Sequence, residues 1–157
     1  MQLGGRVSAG VDIRKIALPL MEKLRDRLTV SPNQVIGSRA PLHVTAVGKL
    51  MMGAQGEAAC RSYAKRSKLP PYTTHTHTRV TTLLHDCITA AKRGYALDNE
   101  EAELGVGCIG TLIHDANGHV AAGLSVSAPI ERRRDEWIEQ VMETGLQISR
   151  QLGYHSA

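Results

Sequence analysis

Long apolar runs are missing from this chain. Nowhere do about 18 apolar residues stand together, so no membrane-spanning helix is expected. Charges recur every few positions through the first thirty residues, which excludes the apolar core of a secretory signal. Cysteine is scarce: Cys60, Cys87 and Cys108 are odd in number and no two stand at a metal or redox spacing, which suits a reducing cytoplasm. Charge of one sign never accumulates either. The formal net charge is +4 and the isoelectric point about 9.1, yet no run of five like charges concentrates the surplus. Arg132, Arg133 and Arg134 form a triplet flanked by acidic residues. Phosphate binding needs a coherent basic surface, so the triplet reads as a solvated helix terminus rather than a nucleic-acid footprint.

Familiar catalytic patterns are missing too. A phosphate-binding loop ending at Gly48-Lys49 would need glycine five positions before Gly48 and Ser or Thr after Lys49, where His43 and Leu50 stand. No HExxH spacing occurs among the histidines and no serine sits in a GxSxG elbow. His75 and His77 would point the same way on an extended chain and such a pair can bind a metal, but no third ligand is placed by spacing. Neither catalytic nor metal-ligating residues are therefore expected, and no cofactor is implied.

What remains is an ordinary globular chain. With 157 residues, 42% hydrophobic and 22% charged, it has the composition of one soluble domain with a real core. In "VDIRKIALPLMEKLRDRL" the residues Ile13, Ile16, Leu20, Leu24 and Leu28 recur at steps of three and four, predicting a helix that Pro19 kinks or delays. A second helix begins near Thr45, and "GEAACRSYAKRSKL" reads as a third, ending before Pro70 and Pro71. "RVTTLLHDCITAAKRG" carries the stripe Val80, Leu83, Leu84, Cys87, Ile88 and Ala91, with Thr78 as cap and Gly94 as stop. The last helix, "ERRRDEWIEQVMETGLQISRQLG", aligns Ile138, Val141, Met142, Gly145, Ile148 and Leu152 and stops at Gly153. Between these lie "GYALD" and two β-rich runs joined by "DANG", where Asn117-Gly118 should supply the positive backbone angles of a tight hairpin. "QVIGSR" is a possible further strand. Helices packed on an antiparallel sheet result, an α/β (α+β) fold.

Side chains alternate along a strand, so Ser125 and Ser127 share one face while Leu124 and Val126 share the other. On the partner strand Val106, Cys108 and Gly110 share a face whose small residues would leave room for a ligand. The plainer alternative is a solvent-facing pair of serines and a buried cysteine acting as a small hydrophobe. At the helix starting near Thr45, the amides of Ala46 and Val47 lie in the first turn, where carboxylates are attracted. The competing reading is that Thr45 merely caps its own helix. Lys49 reads as a solvated helix lysine, and Glu100 and Glu101 as residues that stabilise their loop.

The blocks "GSRAPLHVTAVGKLMM", "KRGYALDNEEAELGVGCIGTLIHDANGHVAAGLSVSAPI" and "ISRQLG" together resemble the effector-binding domain of IclR-type bacterial transcription regulators. The likeness runs over nearly the whole chain in order. It implies a GAF-like curved antiparallel sheet flanked by helices, covering residues 1–157 as one effector-binding domain that senses a small organic acid. The implied effector-binding residues are Ala46, Val47, Asp98, Val106, Cys108, Ser125 and Ser127. It also implies a cytoplasmic homodimer or homotetramer that meets operator DNA only through an N-terminal winged helix-turn-helix. No such pattern is found in this sequence, so residues 1–10 read as the end of a linker to it. The family follows its first helix with two strands; about twenty residues of that hairpin are absent near Val30-Ser31. Two alternatives stand beside this reading: a free-standing GAF-like ligand-binding protein with no DNA partner, and an enzyme using Cys108 as nucleophile.

Overall fold

The computed structural model describes residues 13–28 and 41–155, together with the backbone of 2–5. The expected strand "QVIGSR" and the point near Val30-Ser31 lie outside the described residues. Among the described residues five α-helices are formed: α1 (Ile13–Leu28), α2 (Ala46–Gln55), α3 (Glu57–Ser67), α4 (Val80–Arg93) and α5 (Glu136–Gln151), with a short 3-10 turn at Leu42–Val44 before α2. Four strands, β1 (Gln2–Gly5), β2 (Tyr95–Asn99), β3 (Val106–His114) and β4 (Val120–Pro129), make one antiparallel sheet in the order β1-β4-β3-β2. Gln2–Gly5 thus belong to the sheet edge, so this part of the expected linker is a strand paired with β4.

Alternation sends two different surfaces to the two sides of the sheet. Ile109 and Ile113 on β3 and Ala122, Leu124 and Val126 on β4 face a core completed by Ala17, Leu24 and Leu28 of α1 and Val141 and Ile148 of α5. The opposite side carries Ala96, Cys108 and Leu112, against which α2 lays Ala46 and Leu50, with Ala90 of α4 behind them. A third cluster, Met52, Cys60, Leu69, Leu83 and Cys87, holds α2, α3 and α4 together. The sheet is therefore sandwiched between α1 with α5 and α2, and α3 and α4 form an outer buttress behind α2.

Local chemistry explains most element ends and a few departures from expectation. Helix α1 starts at Ile13 and continues uninterrupted past Pro19, so its start is not delayed. Helix α4 stops at Gly94, whose φ of 87° lets its amide bond the Ala90 carbonyl, but its cap is Arg79 rather than Thr78. Ala90, not Ala91, is the buried alanine of that helix. In the hairpin only Gly118 takes a positive φ, 78°; Asn117 does not. The Gly118 amide bonds the Asp115 carbonyl and the Asp115 carboxylate accepts from the amides of Asn117 and His119. The register slips at Ile113/His114, so the turn is one with a bulge. Helix α5 begins at Glu136, five residues later than the sequence suggests. The amides of Arg132 and Arg133 both turn back to the Pro129 carbonyl, and the Arg133 guanidinium bonds the Asp98 carbonyl at 2.8 Å and the Asn99 side chain. These bonds hold the arginine triplet out of the helix, and half-buried Arg133 is a strand-end clamp rather than a solvated charge.

Candidate functional site

Antiparallel register gathers most of the predicted residues on the α2 side of the sheet. Asp98 on β2 stands opposite Cys108 on β3, which stands opposite Ser127 on β4; the next row pairs Ala96, Gly110 and Ser125. Cys108 Sγ and Ser127 Oγ are 3.0 Å apart. Asp98 and Ser127 are buried, while Cys108 and Ser125 keep partial access. Val106 shares the face but sits at its rim, opposite Pro129.

The first turn of α2 rests directly on this row. A Cβ added at Gly110 would lie 2.9 Å from Ala46 Cβ and 3.2 Å from the Val47 amide nitrogen. One at Gly123 would overlap Val47 Cγ1. Glycine on β3 and β4 is what lets the helix start approach the sheet so closely. Thr45 does cap this helix, its hydroxyl accepting from the Gly48 amide at 3.0 Å. That bond uses the third amide of the turn, not those of Ala46 and Val47, so the cap and an anion site are compatible. His43, just before, is a core residue: its ring bonds the Tyr63 hydroxyl at 2.9 Å and the Pro70 carbonyl at 3.0 Å.

Burial sets the electrostatics of the row. The Asp98 carboxyl is pushed up to about 6, first by burial and then by the neighbouring charge of Glu101, against the opposing pull of Lys49 and of the Glu101 amide that bonds it. Burial also pushes the Cys108 thiol up to about 11, with the Asp98 charge adding to it. A thiol so raised is protonated at neutral pH, the wrong state for a nucleophile.

Sequence reasoning missed the most elaborate polar group of the molecule. Lys49 is not solvated but fully buried, and its ammonium donates to Asp86 at 2.8 Å, Glu101 at 2.7 Å and the Leu97 carbonyl at 2.6 Å. The signal was present: Lys49 sits in the stripe Ala46, Lys49, Leu50, Gly53 that α2 turns inward. Burial alone would strip its proton, but Glu101 and Asp86 outweigh that and its pKa is raised. Burial likewise opposes charge on Asp86, yet the bond from His77 and the Lys49 ammonium hold its carboxyl well below the usual range. His77, Asp86 and Glu101 place one ligand atom each within 4.8 Å of one another, a metal-like group. The Lys49 ammonium sits at hydrogen-bond distance from both carboxylates and supplies the cation. His75 stands apart, exposed beside Glu100, so the two histidines do not act as a pair. Glu100 and Glu101 do stabilise their loop, accepting from the amides of Gly105 and Asn99 respectively.

Comparison with known proteins places this geometry. Residues 13–152 match the family model described as bacterial transcriptional regulator IclR, C-terminal. The chain is 33% identical over 138 residues to the HTH-type transcriptional regulator XynR of Escherichia coli K12, covering 85% of this chain and 55% of that protein. The crystal structure of the C-terminal domain of the E. coli transcriptional regulator KdgR superposes with a TM-score of 0.78 at 28% identity, covering 92% of this chain and 100% of that one. An IclR homolog complexed with 4-hydroxybenzoate, from Microbacterium hydrocarbonoxydans, superposes with a TM-score of 0.80 at 21% identity over 92% of this chain and 70% of its own, a likeness of fold. This chain spans about half the length of the curated relatives it matches.

Proposed function

The chain belongs to the IclR family of bacterial transcriptional regulators, and from that premise we propose that it is an effector-sensing domain whose ligand, a small organic acid, lies between the Asp98-Cys108-Ser127 row and the first turn of α2. The observation that carries the reading is the convergence on one sheet face of a buried carboxyl, a thiol and two hydroxyls, roofed by a helix N-terminus. Such a helix end favours an anion. The amides of Ala46 and Val47 take the effector carboxylate, Ser125, Ser127 and Asp98 bond its other polar atoms, and Val106 and Cys108 limit its size. The 4-hydroxybenzoate held by a neighbour of the same fold supports a carboxylate ligand.

On this reading residues 1–157 are one sensing domain of a cytoplasmic regulator. DNA is read by a separate helix-turn-helix segment, in keeping with relatives described as HTH-type. An effector that binds one arrangement of the domain better shifts the regulator toward it by that difference in affinity and no more. Homodimers or homotetramers formed through this domain would carry the shift between subunits. Catalysis through Cys108 is disfavoured by its raised pKa and by a serine, rather than a histidine, as its side-chain partner.

A thermal-shift screen against two- to six-carbon keto, hydroxy and dicarboxylic acids and a few aromatic acids tests the reading. A true effector at about 100 times its dissociation constant stabilises the fold by roughly 2.7 kcal/mol. Ser125→Ala combined with Ser127→Ala should weaken it on the order of tenfold or more, because two neutral hydrogen bonds contribute roughly 0.5–1.5 kcal/mol each. Unchanged affinity in the double variant would remove the ligand from this face.

A further inference from the structure

Glu101 lies where the buried ion group and the candidate effector face meet. Its amide donates to Asp98 Oδ1 at 2.8 Å. One carboxylate oxygen accepts from Lys49 of α2 at 2.7 Å, the other from the Asn99 amide at the end of β2 at 2.8 Å. Its carbonyl accepts from the Thr76 hydroxyl at 2.7 Å. Four contacts, from α2, β2 and the loop before α4, thus fix a single residue that is itself buried. Lys49 stands one turn along α2 from Ala46, and it also bonds the Leu97 carbonyl on the strand that carries Asp98. The start of α2 and the end of β2 are therefore joined through one ammonium.

Resting on the reading that Asp98 meets the effector, we propose that Glu101 is the positioning residue of that site: its amide aims the Asp98 carboxyl, and its salt bridge to Lys49 keeps that carboxyl in register with the first turn of α2. Two consequences follow. Asp98 has Oδ1 committed to the Glu101 amide and its carboxyl also bonds the Cys108 thiol, so a ligand meets Asp98 and Cys108 together. In addition, burial pushes the Asp98 carboxyl up to about 6; the Glu101 amide bond opposes that rise and the Glu101 charge adds to it, so one residue acts on the protonation of Asp98 through both its amide and its side chain. The groups facing Asp98 are few. They are Glu101 on its own loop, Cys108 from β3, Lys49 from α2, and, farther out, Asp86 of α4 and His77 around the ammonium. Arg133 reaches the Asp98 carbonyl but not its carboxyl.

Side-chain carboxyl resonances followed by NMR across pH, on the full 157-residue chain without ligand, test this. In the wild-type chain the Glu101 amide proton should move with the Asp98 carboxyl, both through the same midpoint. Glu101→Gln should lower the Asp98 midpoint toward the ordinary carboxylate value, because a like charge is removed while the amide bond is kept. Asp86→Asn, which also contacts Lys49 but makes no bond to Asp98, should move it far less. An amide proton indifferent to Asp98, or equal shifts from Glu101→Gln and Asp86→Asn, would overturn the proposal. Should Glu101→Gln fail to fold, the wild-type amide titration alone decides. Neither arm needs an effector, so failure of the effector reading registers separately, as Asp98→Asn leaving unchanged the affinity of every acid that stabilises the wild-type chain.

Discussion

Gly123 shows how far a single atom matters on the sheet face under α2. Its α-carbon lies under Val47 at the start of α2, and an added Cβ would overlap Val47 Cγ1 and come within 2.9 Å of Cγ2. Val47 is rooted in a helix that is itself packed, so the helix start has to shift. Gly123→Ala should cost about 1–3 kcal/mol, the usual range for overpacking. Adding Val47→Ala, which clears the space, should restore much of that loss. Urea unfolding of both single variants and the double closes the cycle, and a coupling energy near zero would show that helix and sheet are not in the contact described. Lys49 teaches the opposite lesson at the same scale. Its place in the inward stripe of α2 was legible, but its partners Asp86 and Glu101 stand 37 and 52 residues away, and no local spacing announces such a meeting.

Helices and strands were legible where one face is apolar and the ends carry their own stop signals. Helix α4 ends at Gly94 and α3 before Pro70 because those signals are local. The start of α5 was not legible, since tertiary bonds from Arg133 to β2, invisible in sequence, pull residues 131–134 away from the helix. Helix α1 goes the other way: it continues through Pro19, where the sequence allows a kink or late start. An interior proline forgoes the bond to the carbonyl four residues earlier and crowds it, at a cost near 3 kcal/mol in an isolated helix. The burial of Ala17, Leu24 and Leu28 on either side of Pro19 keeps the helix whole. Pro19 itself is exposed, so Pro19→Ala should stabilise the domain by about 1–3 kcal/mol without disturbing the core. A denaturation midpoint that stays put or falls would mean that the proline sets a bend that α1 needs for its packing.

Across the whole molecule, one buried carboxyl and one half-buried carboxyl give stability opposite dependences on pH. Asp98 has its folded pKa raised from about 3.8 to about 6, so the folded state binds its proton first. Stability from this group is then fully present below the unfolded value and is lost as pH rises through 6, a difference of about 3 kcal/mol at most. Asp86 has its folded pKa depressed, so its contribution is present above the unfolded value and is lost as pH falls below about 4. Together they place the maximum of these two contributions near pH 4, rather than at neutrality. Urea midpoints taken at half-unit steps from pH 3 to 8 should change little from 8 to about 6.5, rise from there toward about 4 and fall again below it. Asp98→Asn should flatten the upper limb alone, and Asp86→Asn should remove the Asp86 contribution to the lower one. If the upper limb survives Asp98→Asn, the carboxyl on the proposed effector face is not the group that takes up the proton. An anionic effector seated beside it would then bind without the proton uptake that this arrangement otherwise demands.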